Sequence, residues 1–207
     1  MEQIRSFIAI ELPHEVKSAL AELQAGLQPD KQPSVKWVDP YSIHLTLKFL
    51  GDIAAAKISD ITSTIEEASR EIAPFSLEVK GLGVFPNFKR VRVVWVGVGG
   101  DTSRLKLLQQ RIESNLVPFG FARESRPFTP HLTLARVRER IAPTEQQSFG
   151  QLIAEASFEA AHQFTVDSIN LMRSQLTREG AIYRQLTAVS LKKTLSKGSD
   201  NCILKTT

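Results

Sequence analysis

SIHLTLKFLG (42–51) and RPFTPHLTLAR (126–136) contain the same four residues, His-Leu-Thr-Leu, once at 44–47 and again at 131–134. Short alternation of polar and apolar residues reads as a half-buried strand, whose side chains point alternately to opposite faces. His44, Thr46 and Lys48 are therefore expected on one face, with Leu45, Leu47 and Phe49 on the other. His131 and Thr133 likewise share a face opposite Leu132 and Leu134. Packing alone favours Val or Ile at such positions. Two matching His-Thr faces ask for a chemical reason.

Working outward, each copy sits in a similar run of elements. IRSFIAI (4–10) reads as a strand and PHEVKSALAELQAGL (13–27) as a helix, with Pro13 at its start and Val16, Leu20, Leu23 and Leu27 at helical spacing. VKWV, a turn at DPYS and the strand HLTLKFLG follow, then a helix over about 54–72 and the strand FSLEVKGLGVF. The order recurs with the strand RVRVVWVGV, a helix over 102–119, the strand HLTLARV, a helix over about 143–160 and the strand FTVDSINLMRSQL. SINLMRSQLT and YRQLTAVSL pair as a closing hairpin. Phe7 precedes His44 by 37 residues and Val94 precedes His131 by 37. The two runs look like duplicated lobes, one from each half of the chain, within one domain, 1–192. If those lobes face each other, both His-Thr pairs converge on one cleft. Residues 193–207 have few apolar anchors and are expected to form a flexible tail.

Composition bounds the rest. The 207 residues are 42% hydrophobic and 23% charged, ordinary for a globular domain with a real core. Cys202 stands alone, so no internal disulfide is possible, and a cytoplasmic setting is expected. No apolar run reaches the length of a membrane span, and no membrane partner is expected. The net charge of +4 is compatible with an anionic ligand such as RNA.

Paired histidines suit displacement at a phosphate ester. One imidazole deprotonates the nucleophile, the other protonates the leaving oxygen, and both titrate near neutrality. Threonine hydroxyls donate to phosphate oxygens, and a cation stabilises the developing charge. A zinc site would need a third protein ligand. Neither motif has an adjacent Asp, Glu or Cys, so neither a metal nor a cofactor is expected.

HLTLKFLG and PHLTLAR resemble the paired motifs of the two-histidine (2H) phosphoesterases. RSFIAIELP, VKWVDPYSIHLTLKFLGD, GLGVFPNFKRVRVVWVGV and RPFTPHLTLARV narrow the resemblance to the bacterial and archaeal RNA 2′,3′-cyclic phosphodiesterases, formerly described as 2′-5′ RNA ligases. It covers residues 3–192 and implies an α+β, bilobal fold, two pseudo-symmetric lobes each with an antiparallel sheet and outer helices, with the cleft between the sheets. The implied reaction opens a terminal 2′,3′-cyclic phosphate to a 2′-phosphomonoester, and its reverse would make a 2′-5′ linkage. His44 would be the proton donor and His131 the proton acceptor. Thr46 and Thr133 would hold the phosphate, and Arg136 would contact it. Strict alternation puts Arg136 on the wrong face, so it reaches the cleft only if the strand ends, twists or bulges before it.

Other residues carry weaker expectations. Lys48 either adds positive potential to the His44 face or is a solvated surface lysine. Phe85 or Trp37 could stack on a base or pack within a lobe. Arg123 and Arg126 flank the second motif and could attract RNA. His14 and His162 read as surface residues. The implied partner is RNA with a cyclic phosphate end, or a cyclic nucleotide, and the protein is expected to act as a monomer. The competing readings are an RNA-binding module that grips phosphate without turnover, and a phosphodiesterase for another small cyclic phosphate. Lys or Arg would grip phosphate better than His, which favours an enzyme.

Overall fold

The computed structural model describes residues 2–28, 34–159, 162–177 and 180–192. The expected tail at 193–207, with Cys202, lies outside the described residues. Along the chain run β1 (Gln3–Glu11), α1 (His14–Gly26), β2 (Val35–Trp37), β3 (His44–Ala54), α2 (Ile58–Ser69), β4 (Phe75–Phe85) and β5 (Val93–Gly100). Then come α3 (Thr102–Leu116), β6 (His131–Val137), α4 (Pro143–Glu155), β7 (His162–Val166), β8 (Ser168–Leu176) and β9 (Ala181–Ser190). The strands form two antiparallel sheets, ordered β3-β1-β8-β9 and β2-β6-β5-β4-β7. Leaving out the edge strand β2, the two orders match: β3 corresponds to β6, β1 to β5, β8 to β4 and β9 to β7. The bilobal α+β expectation holds.

The lobes, however, are not the two halves of the chain. After α2, strand β4 pairs with β5 of the second sheet, and after α4 the chain returns so that β8 pairs with β1 of the first. The helices cross over too. α3 follows β5 yet packs beside β3, while α1 follows β1 yet hydrogen-bonds to β6 through Gln24. One continuous apolar core results, from Ile8, Leu45 and Ile65 through Val96, Leu108 and Leu132 to Leu171.

The stretch expected as one strand, FTVDSINLMRSQL, is two. β7 and β8 break at Asp167 and join different sheets. The buried positions record this: Phe164 and Val166 point inward before the break, Ile169 and Leu171 after it. Inward parity switches from even to odd, which a single alternating strand cannot do.

Candidate active site

The first motif is set by the turn before it. Asp39 accepts from the Tyr41 backbone N–H and the Ser42 hydroxyl, both at 3.1 Å, fixing the 3-10 turn Pro40–Ser42. From this turn the Ser42 carbonyl accepts from His44 Nδ1 at 2.9 Å. A carbonyl can only accept, so Nδ1 carries the proton and Nε2 is left as the ring's basic nitrogen. The ring stacks on Phe7 with centroids 4.5 Å apart, and Tyr183 meets it edge-on at 4.9 Å. Ala9 lies between Phe7 and Glu11 on this face of β1.

The second motif repeats the device. His131 Nδ1 donates to the Thr129 carbonyl at 2.7 Å, again two residues upstream. Among the described residues neither Nε2 has a hydrogen bond within the protein. Phe85 meets the His131 ring edge-on at 5.2 Å, and Trp95 lies 6.4 Å away. The Trp95 indole rests against Gly83, where any Cβ would collide with its ring. Glycine at 83 leaves the space that the Trp95 ring occupies beside Phe85.

Both strands then bulge at the same letter. In β3, Ala9 pairs with Thr46 and Ile8 with Lys48, so Leu47 is an extra residue. In β6, Trp95 pairs with Thr133 and Val94 with Ala135, so Leu134 is extra. A bulge reverses the alternation beyond it. Arg136 is thereby returned to the face of His131 and Thr133, resolving the parity conflict. The same reversal overturns the sequence expectation for motif one. Lys48 turns to the back of the sheet, where it is buried, and Phe49 comes to the face of His44, 68% exposed. Phe49 and Arg136 occupy equivalent places in the two lobes.

Tyr183 is where the lobes meet electrically. Burial raises its phenol pKa, while the positive charges of Arg136, from the second sheet, and of Arg5, from the first, pull it back down. The Arg136 end of motif two therefore lies within electrostatic reach of the ring that touches His44. β3 and β6 also run close together. His44 itself is held below the usual imidazole value, chiefly by burial. The Ser42 carbonyl and Glu11 oppose that shift, and Lys17, ion-paired to Glu11 at 2.9 Å, weakens the opposition.

The other candidates separate. Phe85 belongs to the site, but Trp37 packs edge-on against Phe149 and joins the core. Arg123 donates to the Ser114 hydroxyl at 3.1 Å, and Arg126 is exposed. His14 is exposed beside Tyr41, and His162 stacks on Phe158. Sequence reasoning missed Phe7, Phe49, Trp95 and Tyr183, and also Lys36, which pairs in register with Arg136 on β2. The apolar run at 4–10 announced a strand but not that Phe7 faces the cleft. Among the described residues no three His, Cys, Asp or Glu gather as metal ligands. No described helix is long and apolar enough to cross a membrane.

Residues 12–178 match the family model of the 2′-5′ RNA ligase superfamily. The chain is 32% identical over 189 residues to the RNA 2′,3′-cyclic phosphodiesterase of Methanothermobacter thermautotrophicus, covering 91% of this chain and all of that one. It is 36% identical over 170 residues to the enzyme of the same name from Aeropyrum pernix, covering 82% and 93%. Among solved structures, E. coli LigT complexed with 3′-AMP superposes with a TM-score of 0.75 at 25% identity, covering 93% of this chain and 100% of that one. TT0787 of Thermus thermophilus gives 0.74 at 28%, covering 91% and 98%. Twin bulged His-x-Thr strands, a fold shared with LigT and a match along most of the chain agree: the protein belongs to the 2′-5′ RNA ligase superfamily.

Proposed function

We propose that the protein is an RNA 2′,3′-cyclic phosphodiesterase, opening the cyclic phosphate of an RNA end or nucleotide to a 2′-phosphomonoester. The observation that carries this reading is the pair of equivalent strands. Each presents a His whose Nδ1 is pinned by a carbonyl and whose Nε2 is left for chemistry. His131 Nε2 takes a proton from water as its oxygen attacks phosphorus. The bond from phosphorus to the 3′ oxygen breaks, and His44 supplies the proton that makes the 3′-hydroxyl. Thr46 and Thr133 donate to the non-bridging oxygens, and Arg136 offsets their charge. Phe49 offers an exposed aromatic face on the same side as His44, suited to stacking a base.

Burial makes His44 a poor holder of its proton, which suits an acid that must give it up. An anionic phosphate beside it favours the protonated form before the step. The reverse reaction uses the same groups in exchanged roles and yields a 2′-5′ linkage. Incubation with a 2′,3′-cyclic nucleotide in excess EDTA tests the reading, with the 2′-monophosphate as the expected product. Binding without turnover would instead make the protein a phosphate-gripping module. Turnover of ADP-ribose cyclic phosphate alone would move the substrate class.

A further inference from the structure

Each bulge is held from behind by a helix that follows a strand of the other sheet. Behind β3, Lys48 Nζ donates to Glu113 Oε2 of α3 at 2.7 Å and to the Ala122 carbonyl at 2.9 Å. Glu113 Oε2 also accepts from the Glu124 backbone N–H at 3.2 Å. Ala122 and Glu124 lie on the segment that runs into His131. Behind β6, Gln24 Nε2 of α1 donates to the carbonyl of Leu134, the bulged residue, at 3.0 Å, and to the Val38 carbonyl at 2.9 Å. Val38 lies on the segment that runs into the Asp39 turn and His44. Each contact therefore ties the bulge of one His strand to the approach of the other. Lys48, Glu113 and Gln24 are all more than nine-tenths buried.

We infer that these two reciprocal clamps are positioning devices that set the spacing of His44 and His131. A buried ion pair adds little net stability, because desolvation consumes most of its attraction. What short, charge-assisted hydrogen bonds fix well is geometry. The inference rests on the phosphodiesterase reading, since what is positioned is an acid and a base.

Two variants test it, each with thermal unfolding measured on the same sample. Lys48→Met/Glu113→Leu replaces the ion pair by apolar residues of similar size, and Gln24→Met removes two donors while keeping shape. Both should stay folded at assay temperature and lose about 10²-fold in kcat with KM nearly unchanged, as expected when reacting groups shift by about an ångström. Combining them should cost little more than either alone, because both hold the same pair of strands. Folded variants that turn over as fast as the parent, or that change only KM, would overturn the inference. Losses that simply multiply would also overturn it. Inactivity of the unmodified protein would count against the phosphodiesterase reading instead. The clamps would then stand or fall on whether β3 and β6 separate in crystals of Gln24→Met.

Discussion

The two motifs begin as copies and end as different environments. Through His-Leu-Thr-Leu they share residues, register, bulge and the carbonyl that pins Nδ1. Just beyond, Lys48-Phe49 stands where the other has Ala135-Arg136. The bulge turns the first of each pair inward and the second toward the cleft. One lobe therefore presents an aromatic ring and the other a guanidinium. The histidines differ too: His44 stacks on Phe7 and meets Tyr183 edge-on in a cluster of three touching rings, whereas Phe85 meets His131 only edge-on. Duplication supplies two equivalent imidazoles, and their neighbours can divide the work into acid and base.

The comparison breaks most directly at the histidines. His44→Ala and His131→Ala should each slow hydrolysis by about 10²–10⁴-fold, the usual worth of a positioned acid or base. On a nitrophenyl phosphodiester, whose leaving oxygen needs little protonation, His44→Ala should regain much of its rate and His131→Ala should not. Equal recovery by both would erase the asymmetry; recovery by His131→Ala alone would exchange the roles.

At the sixth position the lobes should diverge in which kinetic constant suffers. Arg136→Met removes the charge proposed to offset the phosphate and should lower kcat/KM by about 10²-fold, mostly through kcat. Phe49→Ala should instead raise KM, by about tenfold if a base stacks there, and should have little effect on a cyclic phosphate lacking a base. Similar kinetics for the two variants would mean that the equivalence of their places is only geometric. Thr46→Val and Thr133→Val, each losing one neutral donor, should cost about tenfold or less.

The smallest expected effect is the pH response of His44. Titration followed by NMR should place its pKa below the ordinary imidazole value in the free protein, and phosphate should raise it. The sign for stability follows. An imidazole that binds protons more weakly when folded leaves the unfolded chain holding more protons, so stability rises with pH through that window. Its penalty is absent above the ordinary value and develops fully as pH falls through the lowered one. His44→Phe should therefore lose less thermal stability than the parent between about pH 7.5 and pH 5. A parallel decline would mean that burial is not what shifts His44.

The fold class, the helices, the paired histidines and the reaction class were legible because they rest on local patterns. Alternation marks a strand, helical spacing marks a buried stripe, and a repeated tetrapeptide marks a repeated site. Arg136 was legible only as a contradiction, since its parity was wrong until Leu134 proved to be an extra residue. Lys48 and Phe49 were misread for the same reason, their parity reversed by the extra Leu47. Nothing in the letters marks a bulge, because it depends on what the neighbouring strand offers in register.

Sequence by itself thus determined that two His-Thr strands exist and what chemistry they suit. Tertiary structure alone decided that β8 returns to pair with β1 and that Tyr183 arrives beside His44. It also decided that Gln24 and Glu113 reach across to hold each other's lobe. Strand periodicity is written in side chains a few residues apart. Strand exchange between sheets is written in contacts between residues far apart in the chain, which gain their free energy only once the whole core has closed.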